Sequence, residues 1–173
     1  MQLGIKKIQI LKHNVDEINF EFKLPITKSV KKLAEMKALS ITQNSKIKKK
    51  VIISGDTLVY RAGKIFHKSN SKPEVKNYLK LLSNRKHFVY GGICVISKKN
   101  QIFSKVVKTE VYFNKITESD LTNDILEDGL GKAGGYAIQK YGSRFVKKIR
   151  GCYTNIVGIS IPELYKILKS SEF

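Results

Sequence analysis

The stretch HFVYGGICVISKKNQIFSKVVKTEVYF, residues 87–113, holds two long runs of β-branched and aromatic residues separated by the polar turn KKNQ. Apolar and polar positions in these runs tend to alternate, the period at which successive side chains point to opposite faces of a strand. Such a pattern predicts an antiparallel pair that is packed on one face and wet on the other.

Further elements are placed by reading outward from this pair. SKPEVKNYLKLLS, residues 71–83, predicts a helix. Ser71 and Glu74 have capping-box spacing, Pro73 lies in the first turn, and Val75, Tyr78, Leu79 and Leu82 share one face. Before it, VIISGDTLVY, residues 51–60, reads as a strand whose Val51, Ile52 and Ile53 are buried on both faces, with Gly55 and Asp56 where the chain leaves that apolar environment at a sheet edge. TKSVKKLAEMKALSITQ predicts a helix capped by Thr27, with Val30, Leu33, Ala34 and Ile41 on its apolar stripe. A basic turn, NSKIKKK, links the two, and IKKIQIL, residues 5–11, suggests a first strand. On the far side, ESDLTNDILED predicts a helix capped by Ser119, and GLGKAGGYAIQKYG a glycine-rich loop or short bent helix. FVKKIRGCYTNIVGIS reads as strand, turn and strand, and IPELYKILKS as a closing helix. Helices and strands alternate early and hairpins come later, which predicts a mixed-sheet α/β fold. No linker or repeat divides the chain, so a single domain over residues 1–173 is expected.

Composition narrows the function classes. The chain has 173 residues, 42% of them apolar, enough for a sizeable core. It shows neither an apolar run of membrane-spanning length nor the pattern of a signal peptide, so a cytoplasmic location without membrane association is expected. Cys94 and Cys152 lack metal-knuckle spacing, and His13, His67 and His87 share no ligand spacing. The formal net charge of +19 suits a polyanionic partner such as a nucleotide's phosphates. Because the lysines are dispersed and no aromatic–basic interleave of an RRM type stands out, nucleic acid is not the expected partner.

Three places carry chemistry. Asp56 follows an apolar run, where a carboxylate must be paired or hydrated; a plain Gly-Asp turn is the alternative. Lys37 breaks the apolar stripe of the first helix and needs an anion or a snorkelling route to water. Lys68 stands between a strand and a capped helix, a position that suits a phosphate-facing lysine or a surface one. In GKAGGYAIQ, residues 131–139, small residues allow close backbone approach to a ligand within reach of Lys132 and Gln139. This is neither a GxGxxG nor a GxxxxGK[ST] fingerprint.

The order and spacing of VDE (15–17), KKLAEMKA (31–38), SGDTLV (54–59) and KAGGYAIQKYGSRFVKKIRGCYTNIVG (132–158) resemble the Maf-like family of nucleoside triphosphate pyrophosphatases. Lys68 and LLSNRKH (81–87) fall where that family has a Lys-Pro step and a Leu-Ser-Gly-x-Thr-His segment. The resemblance implies a two-lobed Maf/ITPase-like fold and hydrolysis of a nucleoside triphosphate to the monophosphate and pyrophosphate, with Mg²⁺ or Mn²⁺ as cofactor. Its details look more like the branch acting on dTTP, UTP and modified pyrimidine nucleotides than the branch acting on 7-methyl-GTP. By carry-over, Asp56 is the general base, Glu17 and Asp56 hold the metal, Lys37 and Lys68 neutralise phosphate charge, and Gln139 contacts the nucleotide. A homodimer is a further expectation, since relatives often dimerise. The chain departs from the family at Gly131, Ser69 and Asn84, where relatives carry a carboxylate, a proline and a glycine. It also begins at MQLGIKK, so the family's first strand and its Ser-x-Ser-x-Arg-Arg loop are expected to be missing. A catalytically impaired homologue that only binds nucleotide or nucleic acid is the alternative reading.

Overall fold

The computed structural model describes residues 7–17, 19–42, 47 and 50–170. Its helices are α1 (Ile26–Thr42), α2 (Lys72–Leu82), α3 (Asn123–Asp128), α4 (Tyr153–Val157) and α5 (Ile161–Ser170). Its strands are β1 (Ile52–Arg61), β2 (Lys64–Phe66), β3 (Lys86–Ile96), β4 (Ile102–Phe113) and β5 (Val146–Arg150). They form one antiparallel sheet in the order β2-β1-β3-β4-β5, and the expected α/β class is borne out. The chain divides into two compact units, one from the described parts of 1–56, 91–107 and 158–173, the other from 57–90 and 108–157.

In the first unit α1 lies close against β3, and glycine permits the approach. A Cβ on Gly92 would come within 2.6 Å of the Val30 carbonyl oxygen and 3.1 Å of the Ala34 Cβ. Ala34 and Ala38 then pack on Cys94 and Ile96, and the Ser54 hydroxyl donates to the Ala34 carbonyl at 2.6 Å. Leu164, with Ile167 and Leu168 from α5, covers Ile93 and Val95.

Several expectations are corrected here. Lys7–Leu11 is irregular, with Ile10 93% exposed, because alternation alone makes no strand without a partner to complete the hydrogen-bond ladder. Residues 5 and 6, and most of the NSKIKKK turn, lie outside the described residues. Helix α1 starts at Ile26, directly after Pro25, so Thr27 is inside the first turn rather than at the cap. The entrance is tied instead by Ser29, whose hydroxyl accepts from the Lys23 amide and donates to the Lys23 carbonyl, each at 2.8 Å. Of the three residues expected to be buried on both faces, Val51 and Ile52 are half-buried and Ile53 is exposed.

The second unit's core gathers Val59, Phe66, Val75, Tyr78, Leu79, Leu82, Val89, Val111 and Phe113. Helix α2 forms as its sequence predicts. Ser71 caps it by accepting from the Glu74 amide, and Val75, Tyr78, Leu79 and Leu82 are buried. β1 turns into β2 through Ala62 and Gly63, both at positive φ (47° and 81°), as a two-residue hairpin turn requires. The 118–128 segment is a 3₁₀ turn (Glu118–Asp120) followed by the short α3, with Thr117 and Thr122 at the caps in place of Ser119. Where a second strand was expected after β5, the chain forms α4. Its fully buried Asn155 donates from Nδ2 to the Val89 carbonyl and to Thr109 Oγ1, both at 3.1 Å. That pair of bonds outweighs the β propensity of the β-branched residues around it.

His87, fully buried in this core, lies with Nε2 2.8 Å from the Tyr136 hydroxyl and its ring edge-on to Phe113. Burial, assisted by the Arg61 guanidinium, pushes its pKa down to about 3 from the ordinary 6.5. The unfolded chain therefore binds a proton that the folded chain refuses. Stability from this source is complete above about pH 6.5 and is lost as pH falls toward 3, at on the order of 1 kcal/mol per pH unit. Urea denaturation at pH 7, 5.5 and 4.5 should show wild type losing more stability than His87→Leu as pH falls; parallel curves would refute this.

Candidate active site

On α1, Lys37 follows Leu33 and Ala34 at four and three residues, the spacings that keep side chains on one helical face. Its Cα therefore sits on the buried stripe, and the amine needs a counter-charge within the first unit. It finds two. Nζ lies 2.5 Å from Asp56 Oδ1 and 2.9 Å from Glu17 Oε1, with Lys37 and Asp56 only 6% and 7% exposed. Glu17 also contacts His13 Nε2 at 3.1 Å.

Burial works to lower the Lys37 pKa, but the carboxylates of Asp56 and Glu17 outweigh it and hold the amine above its ordinary value. Lys37 is thus a cation at neutral pH. One ammonium against two carboxylates leaves this cluster with a formal surplus of one negative charge.

Asp56 reaches this position without a break in the strand. β1 runs uninterrupted from Ile52 to Arg61, so Gly55-Asp56 is neither a turn nor a strand end. Pairing with β2 covers only Val59–Arg61, so Asp56 stands beyond the end of that hairpin. A mid-strand carboxylate is tolerated here because a buried cation faces it.

The structure thus brings together Glu17, Lys37 and Asp56. Lys68 and Gln139 belong to the second unit, where both are exposed. The segment bearing Lys68 is laced to the glycine loop. Lys68 bridges Ala133, the Gly131 amide donates to the Ser69 carbonyl at 2.8 Å, and the buried Ser69 hydroxyl donates to the Gly129 carbonyl at 2.6 Å. Gly131, Gly134 and Gly135 all have φ between 70° and 74°, which shapes the loop carrying Lys132.

Two participants escaped sequence reasoning. His13, which shares no ligand spacing with the other histidines, meets Glu17 through an i,i+4 step. Ser69, standing where relatives carry a proline, has a hydroxyl that satisfies a buried carbonyl proline could not serve.

The family model described as Maf-like protein matches residues 1–171. The chain belongs to the Maf-like family. It is 37% identical over 167 residues to the dTTP/UTP pyrophosphatase of Clostridium botulinum (strain Alaska E43 / Type E3), covering 95% of this chain and 88% of that protein. It is 33% identical over 168 residues to the dTTP/UTP pyrophosphatase of Clostridium perfringens (strain 13 / Type A), covering 96% and 87%. The Clostridium beijerinckii dTTP/UTP pyrophosphatase is 37% identical over 167 residues, covering 95% and 88%.

Among the described residues, no three of His, Cys, Asp and Glu gather into a cage for a metal ion. The donor set of this Maf-like chain nonetheless suits a hard divalent cation shared with substrate. Such an ion is commonly held by one or two carboxylates, with water and phosphate oxygens completing its shell. Glu17 and Asp56, brought together on Lys37, are a carboxylate pair of the kind such a site would use.

Removing the cation alone should be costly. Lys37→Met is expected to destabilise the fold by roughly 3–5 kcal/mol at pH 8, because it leaves buried carboxylate charge unpaired. The loss should shrink at pH 5, where an orphaned carboxylate escapes its penalty by taking a proton. Urea melts of both proteins at both pH values check this, and an equal loss at each would contradict it.

Proposed function

We propose that this Maf-like protein is a nucleoside triphosphate pyrophosphatase acting on dTTP, UTP or modified pyrimidine nucleotides. The observation that carries the reading is the buried Lys37 ammonium held between Asp56 and Glu17, in a chain that aligns over most of its length with dTTP/UTP pyrophosphatases. Asp56 is the general base. A water oxygen forms a bond to the α-phosphorus, the water proton passes to Asp56, and the bond from the α-phosphorus to the α,β-bridging oxygen breaks. Pyrophosphate leaves with that oxygen and the monophosphate remains. Displacement at phosphorus demands mainly alignment and positive charge near the phosphate oxygens. Lys37 would supply that charge from a position fixed by packing once a divalent cation offsets the Glu17 and Asp56 carboxylates, and Lys68 would supply it from the segment braced by the glycine loop. Gln139 contacts the nucleotide.

A divalent cation, Mg²⁺ or Mn²⁺, held by Glu17 and Asp56, would add Lewis-acid charge to the phosphate oxygens. The biological consequence is removal of unwanted pyrimidine nucleotides from the cytoplasmic pool.

Pyrophosphate release from dTTP, UTP, 5-methyl-UTP, CTP and 7-methyl-GTP, with Mg²⁺ or Mn²⁺, tests the assignment. Asp56→Asn should lower kcat by roughly 10²–10⁴-fold, the usual range for loss of a general base. Gln139→Ala should raise KM with kcat little changed, as loss of binding shared by ground and transition states does. Turnover that survives Asp56→Asn would remove Asp56 from the base's role, and absence of turnover from folded wild-type protein with either metal would overturn the enzymatic reading.

A further inference from the structure

The second unit presents a sheet face that the chemistry above does not use. On β3, His87 and Val89 point into the core while Lys86, Phe88 and Tyr90 alternate with them onto the opposite face. On β4, Thr109, Val111 and Phe113 are buried, and Lys108, Glu110 and Tyr112 take the other face. β5 extends the row, since Arg150 pairs with Glu110 and Lys148 with Tyr112, and cross-strand partners share a side. From β1, the Tyr60 ring meets Tyr90 edge-on, with centroids 6.3 Å apart.

The rings and cations of this face interleave. Lys108 Nζ lies 4.1 Å from the Phe88 ring centre and 5.9 Å from that of Tyr90. Lys86 Nζ lies 5.2 Å from Phe88 and 5.8 Å from Tyr112, and the Arg150 guanidinium 5.7 Å from Tyr112. The four rings are only partly buried, whereas Lys86, Lys108, Lys148 and Arg150 are exposed. Against these four cations stands, among the described residues of this face, one carboxylate, Glu110, which accepts from the Tyr112 hydroxyl at 2.6 Å and lies 3.7 Å from Lys86 Nζ.

We propose that this face, built by Tyr60, Phe88, Tyr90 and Tyr112 under Lys86, Lys108 and Arg150, binds single-stranded nucleic acid. Charge complementarity selects a polyanion, and the rings narrow the choice. A duplex keeps its base faces stacked inside and offers a flat aromatic row nothing but phosphate. An unpaired strand offers both a phosphate run for the cations and free π-faces for the rings. The lysines now resting over the rings are long enough to swing to phosphates as bases take their place.

Fluorescence anisotropy with labelled 12-nucleotide oligo-dT and oligo-U tests this on the full chain, between 50 and 300 mM salt and with saturating UTP present. The expected result is single-strand binding that persists with UTP and exceeds binding to a duplex of equal length. Phe88→Ala and Tyr90→Ala should each weaken it by roughly 5- to 100-fold, as loss of one base–aromatic stack does. Phe88→Leu, which keeps apolar bulk and removes only the ring, should weaken it in the same direction, so misfolding of the alanine form would not decide the matter. Lys108→Gln should lower the salt slope by about one phosphate contact. Hydrolysis of UTP should be unchanged in all four variants. Equal binding to duplex and single strand, indifference to the aromatic substitutions, or displacement by UTP would each overturn the proposal. So would absence of oligonucleotide binding together with self-association, or attachment to phosphatidylserine vesicles, that Phe88→Leu abolishes; the face would then belong to a second copy or to a membrane.

Discussion

The buried ammonium of Lys37 is the constraint on which the first unit depends. A charged amine on the apolar stripe of a helix is tolerable only where carboxylates replace the water it loses. Meeting that demand requires α1 to come down onto the sheet closely enough for Nζ to reach a strand residue. Gly92 permits the approach, the small residues Ala34 and Ala38 line it, and Ser54 bonds to the helix backbone beside it. Asp56 must then lie on the face turned toward α1, which is why it interrupts an apolar strand pattern without interrupting the strand. Glu17, from an irregular segment, supplies the second anion. The cluster is thus built from helix, sheet and loop together, with each part costly to keep without the others.

The sequence was most legible where one local signal determined one element. The α2 helix, with its Ser71 cap and four buried apolar residues, and the β3–β4 pair follow from spacing alone because both signals act within a few residues. Lys37 and Asp56 were visible as residues out of place in apolar patterns, and the structure resolves the two anomalies into one ion pair. Legibility failed where distant groups decided. The segment after Cys152 carries strand-forming residues but becomes helical because Asn155 has partners on Val89 and Thr109, more than forty positions earlier. Residues 7–11 alternate like a strand but pair with no strand among the described residues. Gly55-Asp56 reads as a turn in isolation, since nothing local reveals the cation waiting across from it.

The same limit hid the aromatic–basic face. In linear order Tyr112 lies more than twenty positions beyond Phe88 and Tyr90, and no short window interleaves rings with cations as an RNA-binding motif does. Antiparallel pairing of β3, β4 and β5 creates the interleave by placing alternate residues of three strands on one plane. The expected wet face exists only over the Lys86–Tyr90 half of β3, since from Gly91 to Ile96 the strand is buried on both sides by α1 and α5, and wetness and usefulness are separate properties. Only the register tells which residues share that face.

Charge on this chain therefore divides into kinds that a net value merges. Lys76 and Lys80 both meet Glu118, Lys166 meets Glu163, and Lys72 meets Glu127; these exposed pairs are screened and contribute little to stability. Lys37 differs in kind, because its surroundings exclude water and fix its position, so its attraction to the Asp56 and Glu17 carboxylates is weakly screened. Lys108 and Arg150 differ again, resting on π-faces that hold them loosely and leave them available to a stronger anion, and Lys86 adds to its ring contacts a 3.7 Å approach to Glu110. A formal charge of +19 would attract polyanions in any arrangement. What distinguishes one cation from another is the medium around it, and in this protein carboxylate-bound burial and ring-supported exposure are the two media that set particular cations apart from the rest.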